Sequence, residues 1–212
     1  AEMGQGGRTT WAALIAEELD VAREDVNVIH GPAAQAYYNA ALMTGLPGYD
    51  DPAGQSGFSA AMMGVLSKLM GLQVTGGSTS MADGYERMRK AGAAARETLK
   101  EAAARKLRVS RARLSTKDGA VHAPGGTRLT YVDRAAAAAE IDVGDDVPLR
   151  DRAQWRLLGR SLPRVDMVEK ATGTAVFGSD VRLPGMRFAA LRKNPALGGG
   201  MSGFDASEAL RI

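Results

Sequence analysis

Two glycine-rich turns hold the residues best suited to chemistry, and each runs into a helical pattern. The first is Gly4-Gln5-Gly6-Gly7, before a helix opening near Thr9. The second is Gly76-Gly77-Ser78-Thr79-Ser80, before a helix opening at Met81. A helix start offers unpaired backbone N–H groups and a partial positive charge, glycine lets a ligand approach that backbone, and hydroxyls add donors. Two such ends brought together would suit a ligand with a diphosphate and a polar ring. Each turn alone has a plainer reading, as an N-cap or a simple reversal. Neither is the Gly-x-Gly-x-x-Gly of dinucleotide folds or the lysine-bearing phosphate loop, which disfavours a nicotinamide enzyme.

Other chemistries find less support. Ser78 or Ser80 as a nucleophile would need a histidine base, and nothing local pairs His30 or His122 with either. His30, beside a strand end, reads as a surface or capping residue. Glu17 and Glu18 are helix neighbours that do not face one another, so they read as a solvated face and not an acid/base dyad. The chain has no cysteine and two histidines. Thiolate zinc sites, thiolate-held clusters and a protein-ligated metal with histidine spacing are therefore not expected.

The turns must be positioned by helices. Thr9 or Thr10 is placed to cap the first, whose apolar face would be Trp11, Leu14, Ile15 and Leu19, with Glu17, Glu18 and Asp20 outside. Residues 26–29 alternate as a short strand ended by Gly31-Pro32. An irregular loop is expected over 33–55, then a helix over 59–71 whose Met62, Met63 and Met70 fill the core. The longest helix is expected over 81–107, with Met81, Tyr85, Met88, Gly92, Ala95, Leu99 and Ala103 recurring at helical steps. Lys117-Asp118-Gly119 signals a hairpin, and Thr130 opens an alanine-rich helix to about Ile141. Past Asp145 the composition shifts, and strand-like pieces at 174–178 and 188–191 follow. The expected class is α+β, helices on a small mixed sheet, with a domain boundary near 159–163.

Composition bounds the partners. The 212 residues include 27 basic and 24 acidic side chains, net charge +3, interspersed and not in runs, so nucleic acid is not an expected partner. No apolar run approaches the roughly 20 residues of a membrane span. The chain opens on Ala1-Glu2-Met3 and stops at Leu210-Arg211-Ile212, just after the pattern of a new element starts, so it is expected to be an internal piece of something longer.

Taken together the motifs are more specific. Glu2-Met3-Gly4-Gln5-Gly6, Thr9-Thr10 and Ala16-Glu17-Glu18-Leu19 resemble the molybdopterin-binding segment of the xanthine dehydrogenase and aldehyde oxidase superfamily. His30-Gly31-Pro32, residues 75–80 and residues 89–96 resemble the superfamily branch typified by the beta chain of isoquinoline 1-oxidoreductase. Residues 163–166, 170–177, Asp180 and 183–186 resemble the opening of that superfamily's a/b hammerhead domain, and the order of these motifs is that of the branch. The resemblance implies that residues 1–160 are part of a molybdopterin-binding domain and that 161–212 begin a truncated hammerhead. It implies a molybdenum-bearing molybdopterin, in the cytosine dinucleotide form, an iron–sulfur small subunit as partner, and a small aromatic or aldehyde substrate hydroxylated with water as oxygen source. Gln5 matches the glutamine whose amide hydrogen-bonds an oxo ligand of the metal, with Gly4 and Gly6 keeping the turn close. Gly77, Ser78, Thr79 and Ser80 match the segment contacting the pterin or its phosphates. The metal hangs on the pterin's sulfurs, so a chain poor in metal ligands is no obstacle. No stretch matches the surroundings of the family's catalytic glutamate, so the 212 residues alone are expected to be inactive, a structural or interaction unit. A phosphate- or nucleotide-binding module is the remaining alternative.

Overall fold

The structure, a computed structural model, describes residues 2–29, 31, 34–44 and 57–211, with the backbone alone for 44 and 57–60. It divides into two compact units, Ala1–Val168 and Glu169–Ile212.

The first unit is built on two helices, α1 (Gly7–Leu19) and α4 (Thr79–Leu107). Alanine-rich, straight-chained sequence favours both, and α4 adds exposed pairs one turn apart, Lys90 with Glu86 and Arg105 with Glu101. The helices run parallel and close. A Cβ at Gly7 would stand 3.6 Å from the Met81 sulfur, and one at Gly92 would stand 2.7 Å from the Ile15 carbonyl. Between these points Gly84 lies under the Trp11 indole. The expected long helix is present, but its buried stripe is Gly84, Arg89, Gly92, Ala93, Arg96, Leu99 and Ala103. Tyr85 and Ala95 face outward.

The C-terminal half of α4 carries the small apolar core. Ala103 and Ala104 meet Leu114, just before the first strand, and Val121 of a three-stranded antiparallel sheet, β1 (Ser115–Lys117), β2 (Ala120–His122) and β3 (Arg128–Thr130) in the order β1-β2-β3. The β1–β2 turn is the expected Asp118-Gly119, both residues at positive φ, which a tight hairpin of this twist demands. Thr130 caps α5 (Tyr131–Ala138), accepting the Asp133 N–H. The Tyr131 hydroxyl donates to the Leu19 carbonyl at 2.7 Å, and burial pushes that phenol up to about 12.

The one-turn helix α2 (Ala41–Thr44) packs against both α4 and the longer α3 (Gly57–Met70). Three expectations fail in this unit. Residues 26–29 form no strand: they are extended, and the Val28 carbonyl accepts from Arg8 Nη2 rather than from a ladder. Met62 and Met70 are exposed, together with Val65 and Leu69, so α3 presents an apolar face outward instead of filling a core. The helix α1 begins at Gly7, two residues before Thr9, which therefore cannot cap it.

The second unit opens within α6 (Met167–Thr172) and continues as turns and extended chain. No strand forms among its described residues, at 174–178, 188–191 or elsewhere. Among the described residues its backbone hydrogen bonds are local, such as Thr174 N–H to the Glu169 carbonyl, and none joins two extended segments. The architecture is α+β, with a sheet that is antiparallel throughout.

Candidate functional site

The first turn is organised by a residue just before it. The Glu2 carboxylate accepts backbone N–H groups from Gly4 at 2.7 Å, Gly6 at 3.1 Å and Arg8 at 3.0 Å. Burial pushes its carboxyl up, but the N–H groups of Arg8, Gly4 and Gly6 and the charge of Arg164 outweigh that and hold it below the ordinary range. The turn needs glycine: Gly4 has φ 111° and Gly6, the N-cap of α1, φ 90°. Within it the Gln5 Oε1 accepts the Met3 N–H at 2.8 Å, which fixes the sense of the amide: oxygen toward Met3, nitrogen as the donor end. The Arg164 guanidinium donates to the Gly4 carbonyl at 2.7 Å from the other side.

The second turn is held by Asn39, a buried residue that sequence reasoning missed. Its amide donates to the Val74 carbonyl at 2.8 Å and to the Thr79 hydroxyl at 3.0 Å, its N–H donates to the Leu72 carbonyl, and its Oδ1 accepts from Ala41. Its only signal was a polar side chain inside an Ala/Tyr/Gly-rich stretch, which names no partner. Thr79 Oγ1 also accepts the Gly76 N–H, and Thr75 Oγ1 accepts the Ser80 N–H. Thr79 and Ser80 are accordingly buried, while Gly76, Gly77 and Ser78 are exposed. Gly77 and Ser78 sit in the left-handed region, with φ 54° and 59°.

Because α1 and α4 run parallel, these two turns open at the same end of the helix pair. Among the described residues, chain neighbours aside, no atom lies within 4 Å of where a Cβ would stand at Gly4, Gly6, Gly76 or Gly77, so a ligand can approach the backbone there. Two cavities adjoin the Gln5 turn. One, of about 310 Å³, lies between Gln5, Thr10 and the segment bearing Leu158, Arg160 and Arg164. The other, of about 530 Å³, is lined by Glu2, Gly7, Trp11, Tyr37, Tyr38 and Met88. Among the described residues no group of three His, Asp or Glu side chains is placed to hold a metal ion.

The acidic pair at the far end of α1 is not a solvated face. Glu17 and Glu18 are both 0% exposed. Glu17 accepts the N–H groups of Arg156, Leu157 and Leu158, the shortest at 2.6 Å. Glu18 is bound by Arg89 at 2.7 Å, Arg96 at 3.1 Å and the Arg150 N–H at 2.9 Å. Asp20 pairs with Arg150 and Arg156. Helix α4 covers one side of α1 and the chain from 148 to 165 the other, so polar positions that look outward in a helical wheel are interior. A serine nucleophile is unsupported. His122 is in the sheet that packs on Ala103 and Ala104, about 36 Å along α4 from Ser80 at 1.5 Å per residue. His30 lies outside the described residues.

No family model matches the chain. Over all its residues it is 28% identical to a nicotinate dehydrogenase subunit of Pseudomonas putida, of which it spans 15%. Over 93% of its length it is 26% identical to the beta subunit of isoquinoline 1-oxidoreductase from Brevundimonas diminuta, spanning 26% of that protein. Over 67% of its length it is 31% identical to the membrane-bound aldehyde dehydrogenase [pyrroloquinoline-quinone] of Gluconacetobacter polyoxogenes, spanning 19% of it. The resemblance carried by the motifs thus extends to whole-chain similarity with oxidoreductase subunits, the isoquinoline 1-oxidoreductase beta subunit among them. The chain spans about a seventh to a quarter of the length of these curated relatives.

Proposed function

We propose that this chain is the part of a molybdenum-hydroxylase large subunit that presents Gln5 and the turn before α4 to a molybdopterin cofactor. The enzyme it serves would oxidise an N-heteroaromatic ring or an aldehyde, with water as oxygen source, and pass electrons to an iron–sulfur subunit. Residues 1–160 would belong to the cofactor-binding domain and 161–212 would open a hammerhead-like domain. One observation carries the reading: two turns more than 70 residues apart, each matching a cofactor-contacting motif, open side by side at one end of a parallel helix pair.

The residues present fit such a group. The open glycine backbone at Gly4, Gly6, Gly76 and Gly77 allows close approach. The exposed Gly77 and Ser78 bring backbone N–H donors suited to a phosphate or a polar ring. Gln5 stands in this turn with its oxygen accepting from Met3, and a side-chain amide is a group that could donate to an oxygen on the metal. When bound, a molybdopterin, in the cytosine dinucleotide form, would supply the two-electron redox chemistry through a metal held on its own sulfurs. The protein's part in this segment is orientation and hydrogen bonding. No residue of the chain is assigned as the base, so the 212 residues by themselves are expected to show no turnover.

A free-standing phosphate module is less well supported, because the Glu2 carboxylate already occupies the amide groups that α1 would offer an anion. Two relatives are named for N-heteroaromatic substrates and one for aldehydes, the last with pyrroloquinoline quinone in its name. Assays for molybdenum, pterin and quinone on the purified enzyme containing this sequence decide between those cofactors. Gln5→Ala is expected to lower kcat by about 10²-fold, the usual cost of one preorganised donor, with pterin content retained. Absence of molybdenum and pterin, or an unchanged kcat, overturns the proposal.

A further inference from the structure

The cavity of about 310 Å³ beside Gln5 has two walls of different origin. One is α1 itself, through Thr9, Thr10 and Ala13. The other is a strap, residues 156–164, which contains no helix or strand, lines the cavity from Leu157 on, and whose Leu157, Leu158 and Leu162 are only half-buried. A segment without a ladder or a packed apolar face is held in place by whatever its backbone is tied to. Beyond the cavity, Arg164 donates to the Gly4 carbonyl and the Val165 N–H donates to the Thr9 hydroxyl at 3.1 Å. Before it, the backbone is tied by Glu17, and the Arg156 guanidinium adds side-chain contacts to Asp20 at 3.1 Å and the Val21 carbonyl at 3.3 Å.

We infer that Glu17 is the positioning residue of the Gln5 site: by collecting three consecutive strap N–H groups on one buried carboxylate, it sets the distance between the strap and Gln5 and so the width of the cavity. The inference rests on the function proposed above for its link to cofactor, but not for the strap geometry. Glu17 does not line the cavity and touches no reacting group. Its Oε2 accepts from Arg156 at 2.9 Å, Leu157 at 2.6 Å and Leu158 at 3.0 Å, while Oε1 takes the Arg156 N–H at 3.0 Å. Convergence of this kind needs a side chain that only accepts. A glutamine would turn one N–H donor against another, and an aspartate falls one methylene short. Burying a carboxylate is unfavourable unless it is fully satisfied, so an apolar residue would be the cheaper filler for this face. The costly residue stands where three backbone donors of the strap converge.

The test compares wild-type enzyme with full-length large subunit against Glu17→Gln and Glu17→Asp. Glu97→Gln serves as control, since Glu97 is also buried and ion-paired but makes no bond to the strap. Limited trypsin digestion reads the strap at Arg156 and Arg160, and gel filtration reads retention of molybdenum and pterin. Glu17→Gln should be cut at these sites about tenfold faster than wild type, because cleavage tracks local opening. It should also lose cofactor faster, and Glu17→Asp should behave the same way, while Glu97→Gln leaves both readouts near wild type. Unchanged cleavage in the Glu17 variants overturns the inference. So does faster cleavage without change in cofactor retention, or an equal response in Glu97→Gln. A wild-type enzyme without pterin sinks the function proposed above and with it the link to cofactor, while the trypsin arm still confirms or refutes the tie between Glu17 and the strap.

Discussion

Glu2 occupies the amide groups that a bound anion would otherwise take at the start of α1, and this makes the first turn sensitive to acid. Its carboxyl is held below the ordinary 4.5 despite burial, by the N–H groups of Arg8, Gly4 and Gly6 and by Arg164. A carboxyl depressed in the folded state contributes stability that is fully present above its unfolded value and is lost as pH falls through the folded value. The amides of Gly4, Gly6 and Arg8 should therefore keep their protection from neutral pH down to about 4.5 and lose it only below that. Glu2→Gln should lose part of that protection already at neutral pH. Hydrogen exchange of these three amides across a pH series measures both, and equal protection in the variant at neutral pH contradicts the account. At this scale Gln5 and its glycines were legible, because type and spacing within a few residues define the motif. Glu17 and Glu18 were not. Their partners lie 71 to 141 residues away, in Arg89, Arg96 and the strap, and no local pattern distinguishes a carboxylate facing water from one facing buried donors.

The parallel pairing of α1 with α4 depends on glycine where the helices cross. A Cβ at Gly92 would meet the Ile15 carbonyl oxygen at 2.7 Å, Glu18 Cβ at 2.9 Å and Ile15 Cα at 3.1 Å. Two of these are backbone atoms that no rotamer change can move. Gly92→Ala should gain about 1 kcal/mol of helix propensity but lose more to overpacking, typically about 1–3 kcal/mol, and disturb the Glu18–Arg96 contacts nearby. Gly64 in α3 meets nothing within 4 Å, so Gly64→Ala should show the propensity gain alone, up to about 1 kcal/mol. Denaturant midpoints for the two variants should move in opposite directions, and a stabilised Gly92→Ala would refute the close crossing. Elements whose cause is local were readable beforehand: α4 from its alanine-rich period, the hairpin from Asp118-Gly119, α5 from its Thr130 cap. Residues 26–29, 174–178 and 188–191 have strand-like composition, but a strand also needs a neighbour at ladder distance, which composition does not supply. The methionines of α3 failed for a related reason, since an apolar face becomes core only where something covers it.

Apolar surface at the scale of the whole chain points the same way. In residues 169–211 only Ala175 and Ala206 are even half-buried, while Phe177, Leu183, Phe188, Leu191 and Phe204 are exposed. Helix α3 adds Val65, Leu69 and Met70. Isolated exposed apolar residues are ordinary, but so dense a set without a core cannot offset the entropy of holding one conformation. Backbone bonds in this unit close loops of a few residues and none is shielded by a sheet. The 212-residue chain in isolation should therefore exchange its amides over 169–211 within seconds and bind an apolar dye, while α1, α4 and the three-stranded sheet stay protected. Relatives roughly four to seven times as long have ample chain to supply missing strand neighbours. In the longer enzyme subunit proposed above the same segment should gain protection and the dye signal should fall. Exchange measured by mass spectrometry on both proteins reads the difference directly. Slow exchange over 169–211 in the isolated chain would mean that this unit folds without partners and that its apolar side chains are covered by one another.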